Sequence, residues 1–175
     1  MGNLFEKITG DQDIFKKLGS YIPGFKGYIE RQNRRAADKL LRETVADKFE
    51  DLWKRTSALQ TDLISQGGIA HIDKMEKAAL QLRTFVDKIR TATYGYSGFF
   101  DAVKINEEEL NKLYTFDAAF FEMAEQISRA LDNVENSLGD ETGLPAAIRN
   151  LITLARQATQ TFNHRYEVIT SNEQQ

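Results

Sequence analysis

Between Gly27 and Gly67 the chain carries neither glycine nor proline, a run of more than thirty residues. With nothing to interrupt the hydrogen-bond ladder or to enter left-handed backbone, a run of this kind is expected to form one long helix. The stretch Pro23-Gly24-Phe25-Lys26-Gly27-Tyr28 stops whatever precedes it, which places the helix over 25–65. At 1.5 Å per residue it would reach about 60 Å, and a helix of that length needs partners along it, in the same chain or a neighbouring subunit.

The remaining glycines repeat the punctuation. They cluster at 24/27, 67/68, 95/98 and 139/143, and the 2 prolines, Pro23 and Pro145, stand where helices can begin. Long segments with apolar residues every three or four positions lie between the clusters. In the first, Leu41, Val45, Phe49, Leu52, Trp53, Leu59, Leu63 and Ile64 recur at helical spacing. In the second, Ile72, Met75, Ala79, Leu82, Val86 and Ile89 form a heptad core that predicts an antiparallel hairpin across Gly67-Gly68. The third opens near Asn106 with Glu107, Glu108 and Glu109 in its first turn, where the helix dipole favours negative charge. Its seam is Leu110, Leu113, Asp117, Phe120, Ala124, Ile127, Leu131, Val134 and Leu138. The fourth carries Leu144, Ile148, Leu151, Ala155, Ala158, Phe162, Tyr166 and Ile169 on one face. The expected fold is all-α: a four-helix up-down bundle with a long first helix and two short N-terminal helices. The expected organisation is an amphipathic segment over 1–22, the bundle over 23–170 and a polar tail over 171–175.

Asp117 is the single polar interruption of its seam. Either it is buried and paired with an Arg or Lys, which fixes register, or it faces water at a frayed edge. A catalytic role for this carboxylate would need a second positioned group.

The N-terminal segment groups Leu4, Phe5 and Ile8 on one side of a short turn and Ile14, Phe15, Leu18 and Ile22 on one side of another, with Lys7, Lys16 and Lys17 between. Apolar stripes are usually core, which predicts packing over one end of the bundle. The alternative is a membrane-surface anchor, with Leu4, Phe5, Ile8, Ile14, Phe15 and Leu18 as the lipid contact.

Arg31, Arg34, Arg35, Lys39 and Arg42 crowd the start of the long helix, and Arg31, Arg35 and Arg42 share a stripe. A solvated face is expected, with Glu30, Asp38 and Glu43 pairing at helical spacing. The alternative is a site for an anionic partner, a lipid headgroup or an acidic protein surface, around Phe25, Tyr28, Arg31, Arg35 and Arg42. Between the second and third helices, Tyr94, Tyr96, Phe99 and Phe100 surround Gly95 and Gly98. This reads as an aromatic corner whose rings plug the bundle end or form a docking surface.

The sequence offers little for chemistry. Cysteine is absent (Cys 0), which removes disulfides, thiolate nucleophiles and Cys-type zinc sites and fits a reducing compartment. The Glu-x-x-His pair of di-iron bundles is missing, since Gly68 and Thr161 stand three residues before His71 and His164. His164-x-x-Glu167 is a lone pair, and neither a Walker loop nor a dinucleotide fingerprint occurs. The net charge of -3 gives no basic field for nucleic acid. No apolar run is long enough for a membrane span, and no basic n-region precedes an apolar core at the N-terminus, so no signal peptide is expected. No cofactor and no metal are expected.

The run Pro23-Gly24-Phe25-Lys26-Gly27-Tyr28, with Arg34-Arg35, Asp38, Leu41 and Arg42 after it, resembles the opening of an uncharacterised bacterial helical-bundle family. The resemblance spans 23–42 and implies a bacterial origin and an all-α fold, with no sites. A short amphipathic piece ahead of a long helical hairpin is also similar in architecture to phage-shock and ESCRT-III-like membrane-remodelling proteins. Their hairpin is longer and more densely charged, and the compact four-helix seam of this chain departs from it. The expected function is that of a non-enzymatic interaction or scaffold protein, self-associating through the long first helix and acting in the cytoplasm. The alternative is a peripheral membrane protein at the inner face of the membrane; an enzyme is the third reading.

Overall fold

A computed structural model describes residues 11–25, 34–102 and 107–165, with side chains over 14–25, 36–92 and 112–165. The fold is all-α. Its elements are α1 (Asp11–Tyr21), α2 (Arg34–Ser65), a 3₁₀ turn (Ile69–His71), α3 (Ile72–Ala102), α4 (Glu107–Asn136) and α5 (Gly143–Asn163), with no strand among the described residues.

Local chemistry sets the two hairpin turns. After α2, Gly67 takes φ +80°, a conformation that costs other residues a Cβ clash. Gly68 N then donates to Leu63 O at 2.7 Å and Gly67 N to Ile64 O at 3.3 Å, which closes the helix with a Schellman pair. Before α5, the Asp140 carboxylate accepts from Thr142 N at 3.0 Å and Thr142 Oγ1 at 2.9 Å. Together with the Gly143 N–H, these bonds hold Asp140 below the usual carboxylate range. A Cβ at Gly143 would collide with that carboxylate where it now stands.

The two turns lie at the same end of the molecule, where Gly67, Gly68, His71, Gly139, Asp140 and Leu144 line one cleft. From there α2–α3 and α4–α5 run as two antiparallel hairpins, side by side. Helix α2 packs on α3 and α4, and α5 packs on α3 and α4. Cross-links show the directions. Arg90 on α3 reaches Asp47 and Glu50 on α2, so these helices are antiparallel. Arg55 on α2 reaches Ser128, Asp132 and Glu135 on α4, while Asp38 and Asp117 share Arg165 nearer the start of both helices, so α2 and α4 are parallel. Lys88 on α3 meets Asn163 at the end of α5, so these helices are parallel too.

Consecutive helices α3 and α4 therefore sit on a diagonal. A simple up-down ring would make them neighbours; here the seams of α3 and α4 both turn inward, each toward α2 on one side and α5 on the other. One phenylalanine from each long helix meets at the centre. Phe49 lies 4.1 Å from Phe85, Phe85 5.2 Å from Phe120, and Phe162 closes the set at 5.9 and 6.0 Å from Phe85 and Phe120. Helix α4 is the most enclosed, with Tyr114, Phe116, Phe120 and Phe121 all buried, because α1 covers the side that α2 and α5 leave open.

Two expectations about the elements change. Helix α3 runs through Tyr94–Phe100 to Ala102, so Tyr94, Tyr96, Phe99 and Phe100 lie in a helix rather than a loop corner. Two glycines cost a helix about 1 kcal/mol each, which the long pairing with α2 offsets. The side chains of these aromatics lie outside the described ones. Ile64, assigned to the first seam, is 54% exposed because it faces away from the core just before the turn.

Candidate functional site

Four charged side chains are buried together near the end of the bundle opposite the turns. Asp38 and Arg42 come from α2, Asp117 from α4, and Arg165 from the turn that ends α5. Their relative exposures are 0%, 3%, 2% and 1%, and Arg165 heads the largest fully buried side chains of the protein. Arg165 Nε donates to Asp117 Oδ1 at 2.7 Å, and its NH2 group donates to Asp117 Oδ2 and, at 3.1 Å, to Asp38 Oδ1. Arg42 NH2 lies 2.6 Å from Asp38 Oδ2 one turn along α2. Two cations face two anions, so the cluster is neutral when all four are ionised. Burial pushes the Asp38 carboxyl up from its ordinary range, and the Arg165 and Arg42 charges oppose that push.

The quartet ties α2, α4 and the end of α5, and so both hairpins, into one register. Both Asp117 oxygens accept from Arg165, and each Asp38 oxygen faces a guanidinium. That is the chemistry of a structural clamp, in which geometry and mutual neutralisation offset desolvation. It answers the question that Asp117 posed: the seam carboxylate is buried and paired with an arginine. The spacing of Asp38 and Arg42 marked them as a helical pair. Nothing singled out Arg165, whose partners lie 48 and 127 positions away.

The expected partner face around the start of α2 is placed differently. Arg42 is buried in the quartet, and Phe25 is fully buried with its ring edge-on to Tyr114 at 5.6 Å. Neither stands on an exposed face: Asp38 and Arg165 draw Arg42 inward, and Tyr114 receives Phe25. Tyr28 and Arg31 lie outside the described residues, and Arg35 is described as backbone of α2 only.

Helix α1 lies on α4. Ile14, Leu18 and Ile22 are buried there and Phe15 is half-buried, 6.3 Å from Tyr114, so this half of the expected lipid contact is occupied by protein. Lys17 pairs with Glu122, Tyr21 donates to Glu125 Oε1 at 2.9 Å, and Tyr21 stacks on Phe121 at 4.3 Å with Lys48 over both rings. Partial burial and the Glu125 hydrogen bond push the Tyr21 phenol up to about 12. Leu4, Phe5 and Ile8 lie outside the described residues.

Two further concave surfaces are lined by described residues. The cleft between the turns holds about 390 Å³ and includes His71, Asp140 and Glu141, but Asp140 is committed to capping α5. Among the described residues no group of three metal-ligating side chains converges. The second surface is a groove of about 550 Å³ on the outer side of α2–α3. Trp53, Ser57 and Gln60 form one wall and Asp73, Glu76, Lys77, Leu80 and Arg83 the other. The Arg83 guanidinium sits over the Trp53 ring at 5.5 Å. Leu80, 60% exposed, was detectable in the sequence as a leucine off the α3 seam among charged residues.

Among the described residues, no helix is long and apolar enough to cross a membrane. No family model matches the chain, no curated protein matches its sequence, and no solved structure matches its fold.

Proposed function

We propose that this chain is a non-enzymatic interaction protein whose contact surface is the outer face of the α2–α3 hairpin. One observation carries the reading. The large apolar side chains exposed among the described residues are Ile64, Ile69 and Leu80, and all three belong to this hairpin and its turn. The outer face of α5 carries Arg149, Asn150, Arg156, Gln157 and Gln160 instead, an ordinary solvated surface. In the groove, exposed Leu80 lies beside half-buried Trp53 with Asp73, Glu76, Lys77 and Arg83 around them, which is the composition of a protein contact.

Photocrosslinking tests this. A photoreactive residue at Ser57 or Gln60, in the groove, is expected to capture protein in cells; one at Gln157 or Gln160, on α5, is not. Equal capture from both faces, or capture from α5 alone, sinks the reading. Flotation with anionic liposomes is expected to leave the chain unbound, and binding that requires residues 2–18 would favour the peripheral membrane alternative.

A further inference from the structure

We infer that α1 is an exchangeable lid. It swings off α4 at the Pro23-Gly24 turn while the four long helices stay packed, and the groove it uncovers receives an amphipathic helix built like α1, with a basic residue beside its apolar face. This groove is separate from the α2–α3 contact face, which no residue of α1 or α4 lines.

Helix α1 is the least secured of the five. Among the described residues each long helix packs on at least two others, whereas α1 packs on α4 and, from α2, meets the Lys48 side chain over Tyr21. Its polar ties, Lys17 to Glu122 and Tyr21 to Glu125, lie at a water-exposed edge. With 11 residues it is shorter than the ~12–15 a helix needs to persist alone, so it folds by docking. Gly19 stands in its interior, where glycine disfavours helix, and a Cβ there would meet nothing within 4 Å, so packing does not require the glycine. The helix ends in a tight turn, with Pro23 followed by Gly24 at φ +81° and Phe25 N donating to Ile22 O at 3.2 Å. Beyond the turn Phe25 is fully buried against Tyr114 and holds the chain to the bundle. The central rings of Phe49, Phe85, Phe120 and Phe162 pack among α2–α5 and do not depend on α1.

Beneath α1, helix α4 carries a second apolar stripe. Tyr114, Ala118 and Phe121 follow one another at spacings of four and three, so they share a face, and all three are buried. Phe15 and Phe25 lie 6.3 and 5.6 Å from Tyr114, and Tyr21 stacks on Phe121 at 4.3 Å. Ile14, Leu18 and Ile22, four residues apart, are the buried face that α1 presents. Glu122 and Glu125 stand at the edge of the stripe, where Lys17 and the Tyr21 hydroxyl meet them. An apolar floor with two carboxylates beside it matches an apolar helix face flanked by lysine or arginine and repels an acidic helix. With α1 away the stripe would face water, which favours an occupant of that kind.

The chain has no cysteine, so single thiols report opening without background. Ala118→Cys sits under α1 and Ala155→Cys in the α5 core, both at fully buried alanines. In the full chain under native conditions, the thiol of Ala118→Cys is expected to react with N-ethylmaleimide at least about tenfold faster than that of Ala155→Cys. Adding Gly19→Ala, which firms α1 without touching α4, is expected to slow the Ala118→Cys reaction by about two- to fivefold and leave Ala155→Cys unchanged. Adding Lys17→Glu is expected to speed the first reaction and again leave the second unchanged. Exchange is read with a fluorescent peptide of residues 11–25. It is expected to bind the full chain carrying Leu18→Asp at least about tenfold more tightly than the wild type, whose own α1 competes. The half-exposed Lys17→Glu is a gentler opening variant should Leu18→Asp fail to fold by circular dichroism, and a peptide that itself carries Lys17→Glu is expected to bind more weakly. Equal labelling at the two positions, or a Gly19→Ala effect shared by both, overturns the lid. Peptide binding that is no stronger to either opened chain overturns the groove.

Discussion

Arg165 Nε donates to Asp117 Oδ1 across 2.7 Å, and the two residues are 48 positions apart. Asp117 is the polar break in the seam of α4, and Arg165 stands just beyond the end of α5. The bond joins the last described turn of the chain to α4, and through Asp38 it reaches α2 as well.

Removing Arg165 alone is therefore expected to be costly. Arg165→Met leaves two buried carboxylates facing one another with Arg42 as the only remaining cation of the quartet, and a loss of about 3–5 kcal/mol is expected. Replacing all four members with apolar residues of similar volume is expected to restore most of that stability, because the desolvation cost leaves with the charges. Urea unfolding of the single and quadruple variants measures both. A quadruple variant no more stable than Arg165→Met would contradict this account.

The phenylalanine set predicts a sharp contrast within α3. Phe85 is fully buried and touches Phe49, Phe120 and Phe162, so Phe85→Ala is expected to cost about 3–5 kcal/mol. Leu80→Ala, five positions earlier on the solvent side, is expected to change stability by less than about 0.5 kcal/mol. Equal effects in thermal or denaturant unfolding would place the core elsewhere.

Tyr21 reports on the docking of α1. Its phenol is raised from the ordinary 10.0 to about 12 by partial burial and by the bond to Glu125. A raised folded value means that the contribution of Tyr21 to stability is fully present below pH 10 and is lost as pH rises through about 12. Phenolate absorbance of the wild type against Tyr21→Phe isolates this titration, and Glu125→Gln is expected to bring it down. A Tyr21 that ionises at the ordinary value in the folded protein would mean that α1 is not seated on α4.

The α2–α3 turn depends on one left-handed residue. Gly67→Ala places a Cβ at φ +80° and is expected to cost about 1–2 kcal/mol, while Gly67→Asn is expected to cost less because Asn tolerates that region. Thermal melting separates the two. Ala and Asn of equal stability would show that the turn adopts another conformation.

What the sequence determined by itself is what local periodicity and local breakers encode. The interval from Gly27 to Gly67 required a long helix, Gly67-Gly68 required a reversal, and the seam from Met75 to Ile89 announced a buried face. The Asp38–Arg42 pair was visible as a one-turn spacing. A seam states that a face is buried and leaves open which helix buries it, so the pairing of α3 with α5, and the diagonal placement of α3 and α4, emerged only in three dimensions. The same limit hid Arg165, because no local spacing relates it to Asp117 or Asp38. It also misplaced Arg42 and Phe25, whose burial depends on distant neighbours, Arg165 in one case and Tyr114 in the other. Glycines and aromatics in Tyr94–Phe100 signalled a corner, and the long pairing of α3 with α2 carried the helix through it. Backbone propensities are worth about 1 kcal/mol per residue, whereas tertiary packing sums over whole helix faces, so the larger quantity decided those places.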